Sequence, residues 1–105
     1  MNHTKLEDKL EGADNFRVWK YRISLILEEN DLDKYVTEEL PEPKGEEATT
    51  THKKNMIKAK RIIADSIKDH LIPRVASFKI PNKMFDALTK LYEEKKINQR
   101  MNLRN

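Results

Sequence analysis

Apolar residues recur along this chain at three- and four-residue spacing in three separate stretches, and each stretch predicts a helix. Over residues 15 to 29, Phe16, Trp19, Ile23, Ile26 and Leu27 share one stripe, while Arg17, Lys20, Ser24 and Glu28 fall on the solvent side. Asn15 or Asp14 is placed to cap that helix by accepting from its first free backbone donors. Met56, Ala59, Ile63, Ile67 and Leu71, with Ile62 beside them, predict a longer helix that runs from a threonine cap at 49–51 to about residue 70. Met84, Phe85, Leu88, Leu91 and Tyr92 mark another, opened by Pro81, where the missing backbone donor costs nothing.

Shorter elements fill the gaps. Asn30 and Asp31 interrupt the first pattern, and Leu32, Tyr35 and Val36 predict one or two helical turns capped by Asn30 or Asp31. Residues 37–50 hold Pro41, Pro43, Gly45 and much of the acidic excess, so a surface loop is expected there. Pro73 ends or restarts the long helix, and Val75 and Phe78 turn inward from a short segment after it. Residues 97–105 read as helical again, with Met101 and Leu103 lacking an obvious partner, as in a helix cut short. The expected fold is therefore all-α, a compact bundle of about five to six helices over residues 13–105. Residues 1–12, a glycine turn at Gly12 included, read as a flexible N-terminal arm, loose or packed back.

Composition narrows the class. A chain of 105 residues suits one core and is too short for two. With 37% charged residues and only two glycines, it favours charged helices over a turn-rich β protein. The absence of cysteine removes disulfides and thiolate metal sites and fits a reducing compartment, so the cytoplasm is the expected location. No apolar run approaches the roughly 20 residues that cross a bilayer, and the first eleven residues are too polar for a signal peptide, so no membrane partner is expected. The net charge of +3 is unevenly spread: residues 37–47 are acidic and residues 52–61 basic. A dedicated nucleic-acid module carries a larger and less compensated positive excess.

Candidate chemistry is sparse. His3, His52 and His70 sit in no catalytic or metal-ligand pattern, and His70, following Asp69, reads as a C-terminal cap of the long helix. No phosphate-cradling glycine loop, no paired histidine helix and no nucleophile elbow is present. An enzyme is not expected, nor a cofactor, nor a small-molecule substrate. The interleaved Phe16, Arg17, Trp19, Lys20 and Tyr21 offer two readings, a base-stacking platform or a core stripe with basic flanks, and the shared stripe with Ile23 favours the core. Lys53, Lys54, Lys58 and Arg61 form a basic face suited to weak RNA contact, although a solvated helix has the same look. Phe16, Trp19, Ile23, Ile63, Ile67, Phe85, Leu88 and Tyr92 are the expected structural core.

Leu10, Gly12, Asn15, Phe16, Trp19 and Lys20 together resemble the opening signature of the copia-type retrotransposon Gag capsid domain. Leu27, Glu28, Glu29, Asp31 and Leu32 continue the likeness, residues 59–67 are similar to the family's Ala- and Ile-rich long helix, and Met84, Phe85, Asp86, Ala87, Leu88, Leu91 and Tyr92 are similar to its closing block. Phe85 replaces the usual tryptophan, and the tryptophan often found before the long helix is absent near residues 52–55. The resemblance covers roughly residues 10 to 104. It implies the N-terminal part of a capsid protein that self-associates into cytoplasmic virus-like particles packaging the element's RNA. The capsid's C-terminal lobe and a zinc-knuckle segment have no counterpart in the chain. The competing expectations are an RNA-binding module and a domesticated Gag-derived adaptor. A dimer formed through Met101 and Leu103 is the further expectation for the isolated chain.

Overall fold

The computed structural model describes residues 9–94, residue 94 by its backbone alone. Five α-helices carry the fold: α1 Phe16–Glu29, α2 Lys34–Thr37, α3 Glu46–Asp65, α4 Ile72–Val75 and α5 Pro81–Thr89. Short 3-10 turns at Ala13–Asn15 and Asp69–Leu71 lead into α1 and α4, and a π-helical turn, Lys90–Glu94, continues α5. Among the described residues no strand forms, and the fold is the expected all-α bundle. Its centre is one cluster to which all five helices contribute, with α5 packed against α2, α3 and α4.

α1 ends as its sequence dictates, by a turn that reverses the chain. Asp31 takes a left-handed conformation at φ 58°, its N–H donates to the Glu28 carbonyl at 3.0 Å, and the Leu32 N–H donates to the Leu27 carbonyl at 2.7 Å. This is the Schellman arrangement, which returns Leu32 to the core beside the stripe it follows. The short helix then starts two or three residues later than expected, with Asp33 and not Asn30 or Asp31 at its N-cap. Asn30 instead donates through Nδ2 to the Ile26 carbonyl at 2.8 Å.

The long helix departs from the expected boundaries at both ends. It begins at Glu46, inside the segment read as loop, because Gly45 at φ 100° supplies the turn and Glu46 and Glu47 meet the positive end of the helix dipole. Residues 49–51 therefore lie within the helix, and Thr49 Oγ1 donates to the Pro43 carbonyl at 3.1 Å, holding the proline segment against it. The helix stops at Asp65, so Ile67 and Leu71 reach the core from the connection that follows and not from a continuous stripe. His70 accordingly does not cap the long helix; it lies in the next turn, where its Nε2 donates to the Glu11 carbonyl at 3.0 Å. Pro73 restarts the chain as part of the first turn of α4.

At the C-terminal end of the expected arm, Leu10 is fully buried. Leu10 pairs with the segment after α3 as an isolated parallel bridge to Ile67. Its N–H donates to the Ser66 carbonyl at 2.8 Å and its carbonyl accepts from Lys68 N–H at 2.9 Å. Residues 1–8, and the expected last helix with Met101 and Leu103, lie outside the described residues. Gly12 is extended at φ −175°, a conformation open to any residue, so the bend the chain makes there does not require glycine.

Candidate functional site

Several residues that carry the resemblance, Leu10, Phe16, Trp19, Phe85 and Tyr92, meet in one knot. Trp19, 1% exposed, donates through its indole Nε1 to Ser66 Oγ at 3.0 Å, and Ser66 Oγ donates on to the Ile63 carbonyl at 2.7 Å. The main chain of the same serine holds Leu10. Asn15 stands at the N-cap of α1 without capping it by its side chain. That side chain turns back: Oδ1 accepts from the N–H groups of Glu11 and Gly12 at 3.1 and 3.3 Å, and Nδ2 donates to the Lys9 carbonyl at 2.9 Å. Hydrogen bonds thus hold the Leu10 segment on both sides, to Ser66 and Lys68 on one and to Asn15 on the other.

Aromatic rings close the knot. Phe16 packs on Trp19 with centroids 5.8 Å apart, Tyr92 packs on Phe16 at 5.4 Å, and Phe85 stacks on Trp19 at 5.7 Å, separations at which aromatic pairs attract beyond area burial. Of the expected core set, Phe16, Trp19, Ile23, Ile63, Ile67 and Leu88 are buried, while Phe85 and Tyr92 are half-buried and packed against the cluster. The burial of Phe16 and Trp19 removes both rings from any base-stacking platform. Burial raises the Tyr92 phenol above its ordinary value, and the nearby Arg74 charge opposes that shift. Leu10 is a core residue that periodicity did not single out, because it enters from outside a regular helix.

On α3, Lys53, Lys54, Lys58 and Arg61 are all exposed. Arg61 Nε lies 3.6 Å from Asp65 Oδ2 one turn later, which offsets part of its charge. His52 is buried against Tyr35, ring centroids 5.4 Å apart, and Asn55 Nδ2 donates to the Tyr35 hydroxyl at 3.3 Å. It is a packing residue of the α2 and α3 junction. Among the described residues no group of histidine, aspartate or glutamate side chains is arranged to hold a metal ion. No described helix is long and apolar enough to cross a membrane.

Besides a depression of about 570 Å³ lined by Tyr35, Leu40, Pro41, Pro43, Thr51 and His52, two more mark the surface of the described residues. One of about 310 Å³ is lined by Ile57, Ala64, Ile72, Ala76, Phe78 and Met84 and is almost wholly apolar. Another of about 370 Å³ lies between the Leu10 segment and α1, where Lys9, Lys68, Glu11 and Asp14 give it mixed charge. Neither gathers the nucleophile, base and oxyanion donors that a reaction needs.

The more unusual surface is the outer side of α1. Val18, Tyr21 and Leu25 are 52%, 69% and 47% exposed, and their i, i+3, i+7 spacing sets them in a second apolar stripe opposite the core stripe. The first turn of this helix carries Arg17 and no acid, and its last turn carries Glu28 and Glu29 and no base. Each such charge opposes the helix dipole, at a cost of about 0.3–1 kcal/mol apiece. The sequence contained this signal, but the stronger inner stripe masked it.

No family model matches the chain, and neither a curated protein nor a solved structure matches it.

Proposed function

We propose that this chain is the N-terminal part of a copia-type Gag capsid domain, a structural protein of the cytoplasm that self-associates into particles enclosing RNA. One observation carries the reading: the aromatic and anchoring residues of the resemblance are structural partners of one another. Leu10 and Trp19 meet at Ser66, Asn15 holds the backbone on either side of Leu10, Phe16 packs on Trp19, and Phe85 and Tyr92 of the closing block cover those two rings. A signature made of such contacts specifies a scaffold and leaves the outer faces to do the work. Self-association is the work for which a small helical scaffold with an outward apolar stripe is suited.

Enclosure separates this function from simple RNA binding. Incubated with RNA under assembly conditions, the protein is expected to render the RNA resistant to nuclease, with protection lost when the particles are disrupted. RNA that is bound and yet digested at the rate of free RNA would contradict enclosure.

The exposure of Lys53, Lys54, Lys58 and Arg61 on α3 supports a second reading, direct RNA contact by this domain. Four phosphate contacts on a single strand give a slope of about −3 in log K against log salt. A slope near zero removes it. An adaptor role for a domesticated relative predicts neither protection nor salt-sensitive RNA binding.

A further inference from the structure

We infer that the outer face of α1 is a two-fold interface between copies of this chain, packed antiparallel so that Arg17 of each copy meets Glu28 of the other. The inference rests on the capsid reading for its partner, a second copy, and adds the surface and the register.

The apolar content comes from Val18, Tyr21 and Leu25, which lie within about 60° of one another around the helix at 100° per residue. Arg17 and Glu28, both exposed, fall within about 20° of each other on one border of that stripe, next to Tyr21. A two-fold axis that makes two helices antiparallel brings this border of one copy against the same border of the other. With Tyr21 opposite Leu25 of the second copy, Arg17 and Glu28 of the second copy sit within one residue of axial register, about 1.5 Å. Symmetry repeats the pair at the other end.

The parallel alternative joins opposite borders at equal heights and sets Glu28 beside Glu29 of the second copy, which is repulsive. Among Arg17, Glu28 and Glu29, charge therefore selects one orientation. Arg22, on the other border, then comes within about 3 Å of axial register of Arg22 of the second copy, a like-charge cost that the antiparallel pairing carries. That orientation also accounts for charges that run against the dipole of α1: the basic first turn and acidic last turn are unfavourable within one helix and complementary between two antiparallel ones. The face is small, since a helix of 14 residues is about 21 Å long. It buries well under the roughly 800 Å² per partner of a standard interface. The contact is accordingly weak in isolation and becomes effective when many copies are linked in one assembly.

Sedimentation velocity of the full chain at low salt, from about 10 µM to 1 mM, the range in which weak contacts register, tests the interface. Arg17→Glu and Glu28→Arg are each expected to weaken association at least about tenfold. The double variant R17E/E28R restores it, and an equimolar mixture of the two single variants associates more tightly than either alone. Both substitutions bring their helix ends into accord with the dipole, so loss of fold does not explain a loss of association, and circular dichroism verifies this. A chain that stays monomeric throughout, a double variant as weak as the singles, or association indifferent to both changes overturns the inference. The two proposals fail separately. Shells that form regardless of these substitutions retain the capsid reading and sink this interface; a dimer rescued by the double swap that never builds shells does the reverse.

Discussion

Trp19 and Ser66 are joined across 46 intervening positions by a buried 3.0 Å hydrogen bond, in which the indole donates to a hydroxyl that itself donates to the Ile63 carbonyl. The bond ties the start of the first helix to the end of the third and leaves no unpartnered polar side-chain atom among the buried described residues.

Ser66→Ala strands the Trp19 N–H and should cost about 1–3 kcal/mol in urea unfolding. Trp19→Phe removes the donor together with core volume. In the Trp19→Phe background the serine change should cost less than it does alone, because no indole N–H remains to be orphaned. The cycle should return a coupling of about 1–2 kcal/mol. Additive single costs would mean that the hydrogen bond does not join the two elements.

Leu10 tests whether the segment before α1 belongs to the fold. Leu10→Ala should cost about 2–4 kcal/mol, the loss typical of a filled core position, whereas the same change in a detached tail falls within about 0.5 kcal/mol. Asn15→Ala, which frees Glu11, Gly12 and Lys9 together, should speed amide exchange at Glu11 and Gly12. Unchanged exchange there contradicts the anchoring role of Asn15.

Backbone conformation separates three turn positions. Asp31→Gly removes a side chain from a left-handed position and a negative charge from a helix C-terminus. It should stabilise by about 0.5–1 kcal/mol and raise Tm by roughly 2–8 °C. Gly12→Ala should be neutral or slightly stabilising, since its φ is extended and no atom lies within 4 Å of the added Cβ. Gly45→Ala should cost about 1–3 kcal/mol, because φ 100° is strained for any side chain. Equal effects at the two glycines would contradict the conformations assigned to them.

Alkaline unfolding reports on Tyr92. Its phenol is raised when folded, mainly by desolvation, so the unfolded chain gives up this proton first. The associated stability is present below the ordinary tyrosine range and is lost as pH rises through the folded value. Between pH 9 and 11.5 the stability of Tyr92→Phe relative to the parent should shift in favour of the phenylalanine. A difference constant over that range would show that the phenol is not desolvated.

Much of this architecture is legible where neighbours in sequence are neighbours in space. The stripes of α1 and α5 follow from spacing alone, and Pro81 marks the start of α5. The errors occur where distant segments decide. The Glu46 and Glu47 pair reads as loop because acidity is shared by solvated loops and helix first turns, and only the Gly45 turn tells them apart. The stripe continued through Ile67 and Leu71 breaks at Ser66 because Leu10, more than fifty residues earlier, claims the backbone there. Asn15 looks like a cap by type and position, yet its amide serves the preceding segment. Of the candidate surfaces, the basic face of α3 was legible as a cluster of like charge. The outer stripe of α1 was not, because Val18, Tyr21 and Leu25 are too few to compete with the inner stripe until their exposure is seen.

Electron microscopy of the concentrated protein, at low and moderate salt and with and without RNA, tests the central claim most directly. The capsid account predicts closed shells or tubes of regular curvature. Monomers and dimers alone, under every condition, would contradict it.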